Sequence, residues 1–542
     1  MKFINLFNFK ISRAGFILIF TILMYVIYNA FNIEKLTKWF YQGNTLDYLA
    51  LLAYLVLGLA LFIIFFILFS YRWTIKPLAI ILIILSAASS YFISKYNVAI
   101  DTSMVMNVVH TDATEVRSLL SVQMIPYVIF LIILPIFVVI KTKITFDKPL
   151  RDLLSSIKLG SVALVIGLVS LYSESGGIIR AGNISQKYII HSLVPVNYLR
   201  SIISNISIKV RPVFANIKPQ TDFTGSISKH RDLVVVLAIG EASRQKNFNL
   251  YGYNRKITNP VLSKYKNLHI LNGIARVGST LYALPEILDK DGVTLPRITS
   301  TLGIDTACYV NYTLYENCSA VGETAPKNCK HGGKCYDEDV IPLLDNNLKS
   351  YTSGSRLIVL HLGGGSHGPL YKDRHPPEFL RFKPMCNDAD VINKCTVEQL
   401  YDSYDNSILY VDYVLGKILT TLDSSGVPYV FIYLSDHGES LLENGRIFHG
   451  MPPGISLPPE QAHIPLIIKS SVPISIAKRD EYKQQDVFDS ILDLFSIKVD
   501  IFDNRGSFIK LDGRDSNVAT TPDNTAKCIT SNPDITRQNS CG

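Results

Sequence analysis

Long apolar segments separated by short polar ones fill the first third of the chain. Five such segments lie near residues 14–31, 48–71, 75–94, 124–140 and 157–173. Each approaches the ~20 residues that a helix needs to cross the hydrocarbon core of a bilayer. One such segment could be a buried helix of a soluble protein, but five in close succession favour transmembrane helices. We therefore predict a five-helix transmembrane domain over residues 1–173.

The pattern changes after about residue 231. Short runs that are apolar on both faces, typical of buried strands, cover residues 232–239, 356–362 and 429–434, and a helical pattern covers 397–421. Buried strands separated by helices favour an α/β domain with a mainly parallel sheet covered by helices on both faces. We predict this domain over residues 231–510.

Two further segments complete the predicted organisation. Residues 174–230 form a connector, and its run 183–214 mixes apolar residues with four basic ones. That composition is typical of helices lying in the membrane interface, although a solvated linker would also fit. Residues 511–542 form a C-terminal extension.

Composition and charge support a membrane protein. Of the 542 residues, 48% are apolar and 18% charged, which excludes a disordered chain. Residues 1–210 contain 18 Lys and Arg against 8 Asp and Glu, whereas the remainder contains 35 against 37. A nucleic-acid-binding protein would carry its basic excess on the soluble part. We therefore expect a membrane as partner and no nucleic acid.

The placement of basic residues predicts the orientation of the helices. Lysines and arginines precede the first apolar segment and lie in the loops after the second and the fourth. Since cytoplasmic loops carry the excess of Lys and Arg, these regions are predicted to be cytoplasmic. The loops 32–47 and 95–123, and everything after the fifth helix, are then outside.

Cysteine usage agrees with this orientation. All eight cysteines lie after residue 300 and form four neighbouring pairs: 308/318, 329/335, 386/395 and 528/541. Locally clustered cysteines favour disulfides in an oxidising compartment. Free buried thiols or zinc knuckles are the alternatives, but no C-x-x-C motif occurs.

Acidic residues and histidines follow three of the predicted strands. Glu241 comes after 232–239, His367 after 356–362, and Asp436 and His437 after 429–434, with His449 shortly behind. Ligands of parallel sheets bind beyond the carboxyl ends of the strands. Carboxylates and imidazoles gathered there favour Zn²⁺ or Mn²⁺. Glu241 alone could be a helix cap, and His449 alone a solvent-facing loop residue.

A nucleophile is expected nearby. Thr280 lies just after Gly278-Ser279, at the predicted start of a helix. A metal ion can ionise a coordinated oxygen, and a helix N-terminus offers N–H donors to a phosphoryl group. The alternative is that Thr280 or Ser279 merely caps the helix.

These residues resemble the membrane-bound phosphoethanolamine transferases, which include lipid A phosphoethanolamine transferases and the mobile colistin-resistance enzymes. The resemblance runs from about residue 100 to about 510. It is carried by Gly240-Glu241, Thr280 with Pro285, His367-Gly368-Pro369, Phe382–Cys386, Tyr401–Ser407, Asp436–Ser440 and His449–Pro452. The family has five transmembrane helices and a periplasmic domain of the alkaline phosphatase/sulfatase type.

The resemblance implies roles for these side chains. Glu241, Thr280, Asp436 and His437 would hold a catalytic Zn²⁺, with Mn²⁺ as the second choice, and Thr280 would be the nucleophile. His367 and His449 would contact the phosphoryl group or a second zinc ion.

The resemblance also implies a donor-binding loop. Asn107, Thr111 and Glu115 match positions that bind the ethanolamine head group in the family. Their steps of four put them on one face of a helix, whatever the family. A polar helix face touching lipid head groups is the alternative.

The predicted function follows from the resemblance. The chain would transfer phosphoethanolamine from phosphatidylethanolamine to an envelope acceptor, foremost lipid A, through a phosphothreonine intermediate. Diacylglycerol would be released, and the lower surface charge would weaken binding of cationic peptides such as polymyxin. We expect a monomer in the bacterial inner membrane with its catalytic domain in the periplasm. Two alternatives are a glycerol phosphate transferase resembling lipoteichoic acid synthase, which uses phosphatidylglycerol, and a non-catalytic membrane adaptor with a degenerate enzyme domain.

Overall fold

The fold is described from a computed structural model. It covers residues 10–96, 98–110, 122, 124–185, 188–215, 222–327, 329, 334–363, 368, 370–388, 390–452, 455–501, 504–512 and 529–530. The chain divides into two compact units, residues 1–211 with 452–455, and residues 212–451 with 456–542.

The first unit is helical. Its main helices are α1 (Arg13–Ala30), α2 (Tyr48–Phe69), α3 (Ile75–Tyr96), α4 (Thr102–His110), α5 (Met124–Lys141), α6 (Pro149–Ser173), α7 (Ser175–Ile184) and α8 (Val196–Ala215). By length and composition, α1, α2, α3, α5 and α6 can each cross a membrane. The five predicted spans are thus confirmed.

The fifth span begins earlier than the predicted residue 157. Helix α6 starts at Pro149, directly after Lys148. Proline suits the first turn of a helix because the N–H that it lacks would have no partner there. Charged residues such as Arg151 and Asp152 in the first turns end the apolar run without ending the helix.

The predicted connector 174–230 contains α7 and α8. The Ser86 hydroxyl of α3 and the Tyr198 hydroxyl of α8 lie 2.9 Å apart. The side-chain amide of Asn205 donates to the Thr102 carbonyl at the start of α4 at 3.1 Å. Helix α8 therefore packs on α3 and α4 within the first unit. A position in the membrane interface stays a prediction.

The second unit is built on an eight-stranded mixed sheet. Its strands are β1 (Leu233–Gly240), β2 (His269–Ile274), β3 (Asp305–Val310), β4 (Glu323–Thr324), β5 (Ser355–His361), β6 (Tyr429–Ser435), β7 (His463–Ser470) and β8 (Tyr482–Lys483). Their order is β4-β3-β5-β1-β6-β7-β2-β8. Five neighbouring pairs are parallel, and only β6–β7 and β7–β2 are antiparallel. The prediction of a mainly parallel sheet is confirmed.

Helices cover both faces of this sheet. The main ones are α9 (Thr280–Leu288), α10 (Leu295–Thr301), α11 (Ile341–Lys349), α12 (Val397–Ser425) and α13 (Asp486–Leu494). Residues of α9, α10 and α13 share one core cluster with Val235 and Leu237 of β1. Val234 and Val236, on the opposite face of β1, are also fully buried. All eight residues of the central strand are therefore removed from water, which explains its continuous apolar run.

Short strand pairs complete the two units. In the first unit, Lys10–Ser12 pairs with Lys143–Thr145, and Tyr41–Gln42 with Thr45–Leu46. In the second, the pairs are Asp289–Lys290 with Val293–Thr294, Ser440–Leu441 with Ile447–Phe448, Ile474–Ile476 with Ile509–Leu511, and Thr224–Ile227 with both Ile497–Val499 and Ile529–Thr530.

Disulfides brace the second unit. Three of the predicted neighbouring pairs are bonded: Cys308–Cys318, Cys329–Cys335 and Cys386–Cys395. Cys308 and Cys318 lie in the core cluster of the sheet. The fourth pair, Cys528 and Cys541, lies outside the described residues.

Candidate active site and metal centre

Two neighbouring strands bring acidic side chains and a histidine to one edge of the sheet. Strands β1 and β6 are parallel, and Gly240 lies opposite Ser435 at their last pairing. Glu241 follows β1 directly, and Asp436 and His437 follow β6. The Asp436 N–H donates to the Gly240 carbonyl at 2.9 Å, so the two segments stay paired just beyond the strands. Glu241, Asp436 and His437 therefore lie side by side, as predicted from the strand ends, whereas His367 lies outside the described residues.

Asp436 uses its two carboxylate oxygens differently. Oδ1 accepts the backbone N–H groups of Ala242 at 3.0 Å and His437 at 2.7 Å. Among the described residues, no hydrogen-bond donor satisfies Oδ2, which is buried and lies 3.2 Å from His437 Nε2. Ala242 has φ 53°, a left-handed conformation that is unfavourable for a residue with a Cβ. Asp436 thus holds a strained turn in place with one oxygen and presents the other to the site.

Thr280 is the first residue of α9 and points into this cluster. Its Oγ1 donates to Glu241 Oε2 at 2.9 Å and lies 3.4 Å from His437 Nε2. Ser279 occupies the N-cap position, but its side chain makes no capping hydrogen bond. The structure therefore favours a hydroxyl held among candidate metal ligands over the alternative that these residues only cap the helix.

The chemistry of the cluster fits a divalent cation. Glu241 is 3% exposed and Asp436 is fully buried, so water screens neither carboxylate. Burial lowers the pKa of His437 to about 4, although Asp436 opposes this effect, so the imidazole is neutral near pH 7. Two buried carboxylates beside a neutral imidazole require a balancing positive charge. Glu241, His437 and His449 each offer a ligand atom, and these atoms lie within 4.8 Å of one another. Oxygen and nitrogen ligands in this number suit Zn²⁺.

A carboxylate that the sequence analysis left without a role holds His449. Nδ1 of His449 lies 2.7 Å from Glu439 Oε2, and the rings of His449 and His437 are 4.3 Å apart between centroids. The other oxygen of Glu439 accepts the Tyr371 hydroxyl at 3.1 Å. Glu439 belongs to the Asp436–Ser440 motif and stands two residues after His437. Its closeness in sequence to a candidate ligand could have indicated that it lies near the site.

Arg244 is a second residue that the sequence analysis missed. The side chain is fully buried and pairs with Glu443 at 2.6 Å. Its guanidinium carbon lies 5.0 Å from the centre of the Tyr401 ring and 5.4 Å from that of Tyr404. Glu443 and the two tyrosines raise the pKa of Arg244 although burial opposes them. This cation therefore joins the loop after β1 to helix α12.

The remaining predicted residues stay predictions. Asn107 lies on α4, but its side chain is outside the described residues, as are Thr111, Glu115 and His367. The start of α4 is well defined, because the Met104 N–H donates to Asp101 Oδ1 at 2.8 Å.

Both units of the chain match known protein families. A family model described as phosphoethanolamine transferase EptA/EptB matches residues 58–210, and a sulfatase model matches residues 234–497. The integral membrane lipooligosaccharide phosphoethanolamine transferase A of Neisseria meningitidis has a similar fold. The TM-score is 0.76 at 24% sequence identity, over 92% of this chain and 97% of that one.

Curated relatives cover most of the chain. Phosphoethanolamine transferase EptA of Helicobacter pylori is 32% identical over 461 residues, which are 78% of this chain and 82% of the relative. Phosphatidylethanolamine transferase Mcr-1 of Escherichia coli is 26% identical over 546 residues, 93% of this chain and 98% of the relative. The chain is thus a multi-pass membrane protein with a sulfatase-type domain, and it belongs to the phosphoethanolamine transferase family.

Proposed function

We propose that the chain transfers phosphoethanolamine from phosphatidylethanolamine to lipid A through a phosphothreonine at Thr280 and releases diacylglycerol. One observation carries the proposal: the Thr280 hydroxyl lies 2.9 Å from Glu241 Oε2 and 3.4 Å from His437 Nε2 at the start of a helix. The name of the Mcr-1 relative supports phosphatidylethanolamine as donor. Five helices able to span a membrane suit a lipid substrate.

Zn²⁺ is the metal that we propose for the site. Glu241, Asp436, His437 and the Thr280 oxygen would hold it, and Asp436 Oδ2 supports this because no described hydrogen-bond donor satisfies it. A bound zinc ion would stabilise the ionised oxygen of Thr280 and the negative charge of the phosphoryl group.

In the first half of the reaction the Thr280 oxygen attacks the phosphorus of the donor. The bond between phosphorus and this oxygen forms, and the bond to the glycerol oxygen breaks. Glu241 Oε2 accepts the hydrogen of Thr280 and is in place to take its proton. His449 gives a proton to the departing diacylglycerol oxygen. The N–H groups of the first turn of α9 stabilise the phosphoryl oxygens.

In the second half an oxygen of the acceptor attacks the phosphothreonine. The phosphorus–Thr280 bond breaks, the acceptor proton passes to His449, and Glu241 returns a proton to Thr280. Lipid A is the proposed acceptor because the family resemblance includes enzymes that modify it. The added ammonium group would reduce negative surface charge and weaken the binding of cationic peptides.

Donor recognition is proposed for the segment that begins with α4. Asn107, Thr111 and Glu115 would contact the ethanolammonium group, and His367 would contact the phosphoryl group. Asp101 supports this because it fixes the first turn of the helix that carries Asn107.

The proposed location is the bacterial inner membrane, with the second unit in the periplasm. Three disulfides in that unit support an oxidising compartment. Basic residues in the loops after the second and fourth spans support a cytoplasmic position for those loops.

The proposal is tested with purified full-length protein in detergent micelles. Fluorescent phosphatidylethanolamine should yield diacylglycerol when zinc is present, and a chelator should stop the release. Phosphatidylglycerol is the matched donor that separates this reaction from glycerol phosphate transfer. No diacylglycerol from phosphatidylethanolamine with zinc present would contradict the donor assignment, and efficient use of phosphatidylglycerol would favour the alternative.

The acceptor is tested in cells. Mass spectrometry of lipid A from cells with and without the gene should show an added phosphoethanolamine group only when the gene is present. Unmodified lipid A together with active donor cleavage would direct the search to another envelope acceptor.

A further inference from the structure

One buried glutamine lies between the Asp436–Ser440 motif and the segment that leads to Thr280. Strand β7 is antiparallel to both of its neighbours, β6 and β2, so its first residue lies at the edge of the sheet where those two strands end. The Ala275 N–H, just after β2, donates to the Ala462 carbonyl, just before β7, at 2.8 Å. Gln461 is the residue before Ala462. The topology therefore brings Gln461 beside the residues that follow β6 and β2.

The backbone of Gln461 contacts the Asp436–Ser440 motif. The Gly438 N–H donates to the Gln461 carbonyl at 2.8 Å. A Cβ on Gly438 would collide with the Glu460 carbonyl oxygen and would lie 3.2 Å from Gln461 Cα, so the close approach of the two segments requires glycine. Because this contact uses backbone atoms of Gln461, a substitution of its side chain leaves the contact in place.

The side chain of Gln461 holds the hairpin that follows the motif. It is 2% exposed, and its Nε2 donates to Ser440 Oγ at 2.8 Å and to the Phe448 carbonyl at 3.2 Å. Ser440 and Phe448 lie opposite each other in the hairpin. Phe448 has φ 65°, a left-handed conformation that a residue with a Cβ keeps only when its surroundings hold it. The Gln461 amide supplies part of that support.

The amide oxygen of Gln461 lies against the segment that leads to the nucleophile. A Cβ on Gly278, two residues before Thr280, would lie 3.0 Å from Gln461 Oε1 and 3.2 Å from the Gly450 nitrogen. Oε1 is buried, and no hydrogen-bond donor among the described residues satisfies it. The planar amide of Gln461 therefore fills the space between the Gly278 backbone and the hairpin and contacts both.

We propose that Gln461 is a positioning residue for the transfer reaction: its amide holds the hairpin after the Asp436–Ser440 motif at a fixed distance from the Gly278–Thr280 segment. The inference rests on the proposed function, because this distance matters for catalysis only if Thr280 attacks a phosphoryl group. A displacement of about 1 Å can slow a reaction about 100-fold, since the reacting atoms no longer meet in the productive geometry. Gln461 acts on the rate without touching the substrate.

Diacylglycerol release by the full-length protein tests this role. Gln461→Met replaces the amide by a side chain of similar length and removes both hydrogen bonds to the hairpin. Release from phosphatidylethanolamine should fall about 100-fold in kcat. KM and zinc content should equal those of the wild type, because the backbone bond to Gly438 remains. Each variant is assayed well below its melting midpoint, so that only folded protein is compared.

Asn504→Leu is the matched control. The Asn504 amide also donates two hydrogen bonds, to Asp493 Oδ1 at 2.8 Å and to the Ile497 carbonyl at 3.2 Å, in a segment that carries none of the site residues. Its loss should lower the melting midpoint and leave kcat unchanged. An equal fall of kcat in Asn504→Leu and Gln461→Met would show that loss of stability alone explains the effect.

Two further variants separate the contacts of the amide. Gln461→Glu keeps the shape of the side chain, but its ionised carboxylate cannot donate to the Phe448 carbonyl, so kcat should fall here too. It replaces Gln461→Met if the latter does not fold. Ser440→Ala leaves the bond to Phe448 and should lower kcat less than Gln461→Met does. Ser440→Ala combined with Gln461→Met should be no slower than Gln461→Met, because their shared bond is already lost.

Several outcomes would overturn the inference. These are an unchanged kcat in Gln461→Met, loss of zinc in that variant, the equal fall in Asn504→Leu, or multiplying losses in the double variant. A wild-type protein without diacylglycerol release would instead reject the proposed function and the role of Gln461 with it. Normal wild-type release with an unaffected Gln461→Met rejects the role of Gln461 alone.

Discussion

At the scale of single residues, Thr280 has the placement that a nucleophile needs. Its hydroxyl donates to Glu241 and lies near His437, and Thr280 is the first residue of helix α9. The hydroxyl is oriented before any substrate arrives. Reactivity therefore depends on this oxygen more than on the rest of the side chain.

Substitution of Thr280 separates the oxygen from the methyl group. Thr280→Ala should reduce diacylglycerol release by at least roughly 1,000-fold, because the attacking atom is gone. Thr280→Ser should keep measurable release, lowered about 10-fold by its freer rotation. Intact-mass analysis should find a phosphoethanolamine adduct on the wild type and on Thr280→Ser, and none on Thr280→Ala. An adduct on Thr280→Ala would show that another residue is the nucleophile.

Arg244 gives a stability prediction at the same scale. Its guanidinium bonds to Glu443 and Asn247 while it contacts two tyrosine rings, and a lysine cannot reproduce this planar arrangement. Arg244→Lys should lower the free energy of unfolding by about 2–4 kcal/mol. The thermal melting midpoint in detergent should fall clearly. Lys246→Ala is the control, since this lysine is 55% exposed and 4.0 Å from Glu443. Equal midpoints for the two variants would contradict a structural role for Arg244.

At the scale of elements, apolar runs located the central strands well. The runs 232–239, 356–362 and 429–434 correspond to β1, β5 and β6, each within one residue at either end. Helix α12 extends from the predicted 421 to Ser425 and stops where Gly426 turns left-handed at φ 69°. Such elements are specified locally, by burial on both faces and by capping residues.

Other elements depend on contacts that are distant in sequence. Strand β7 lies between β6 and β2 and is antiparallel to both. No local sequence pattern predicted this position or this direction. The bond between Glu439 and His449 exists because Ser440–Leu441 and Ile447–Phe448 pair as a hairpin. Glu241, Asp436 and His437 could be predicted as neighbours because strand ends and a family motif both marked them, and Thr280 because a family motif marked it at the start of a helix. Residues that hold these ligands or the surrounding loops in place, such as Glu439 and Arg244, could not be predicted, because their hydrogen-bond partners depend on how the loops fold.

The disulfides give a prediction for the loop after β3. Cys308–Cys318 lies within the core cluster, whereas Cys329–Cys335 closes a shorter loop and is only half-buried. Replacing Cys308 and Cys318 by alanine should destabilise the second unit by about 2–4 kcal/mol. Replacing Cys329 and Cys335 by alanine should destabilise the second unit by a smaller amount. Melting midpoints of the two variants in detergent test the order, and a larger fall for the Cys329/Cys335 variant would contradict it.

At the scale of the whole molecule, the number of spans determines where the two ends of the membrane unit lie. If all five candidate helices cross a membrane, the residues before α1 and those after α6 lie on opposite sides of it. The eight cysteines all lie after residue 300, so single cysteines can be introduced into the first unit without a native background there.

Cysteine labelling in intact cells tests this topology. A membrane-impermeant maleimide should label Asn44→Cys, in the loop between α1 and α2, on the periplasmic side. Trp73→Cys lies between α2 and α3, where the native side chain is 84% exposed, and it should react only after the cells are lysed. Cys528 and Cys541 are replaced by serine in both variants. Labelling of Trp73→Cys before lysis would reverse the proposed orientation.

The unequal use of the two Asp436 oxygens has a consequence for protein from which the proposed zinc ion has been removed. The bonds from Oδ1 to the backbone of Ala242 and His437 do not involve the cation, so removing it leaves the turn in shape. Inactivation by a chelator should then be reversible without refolding. Enzyme treated with chelator and supplied again with zinc should regain its full rate within mixing time, with no lag.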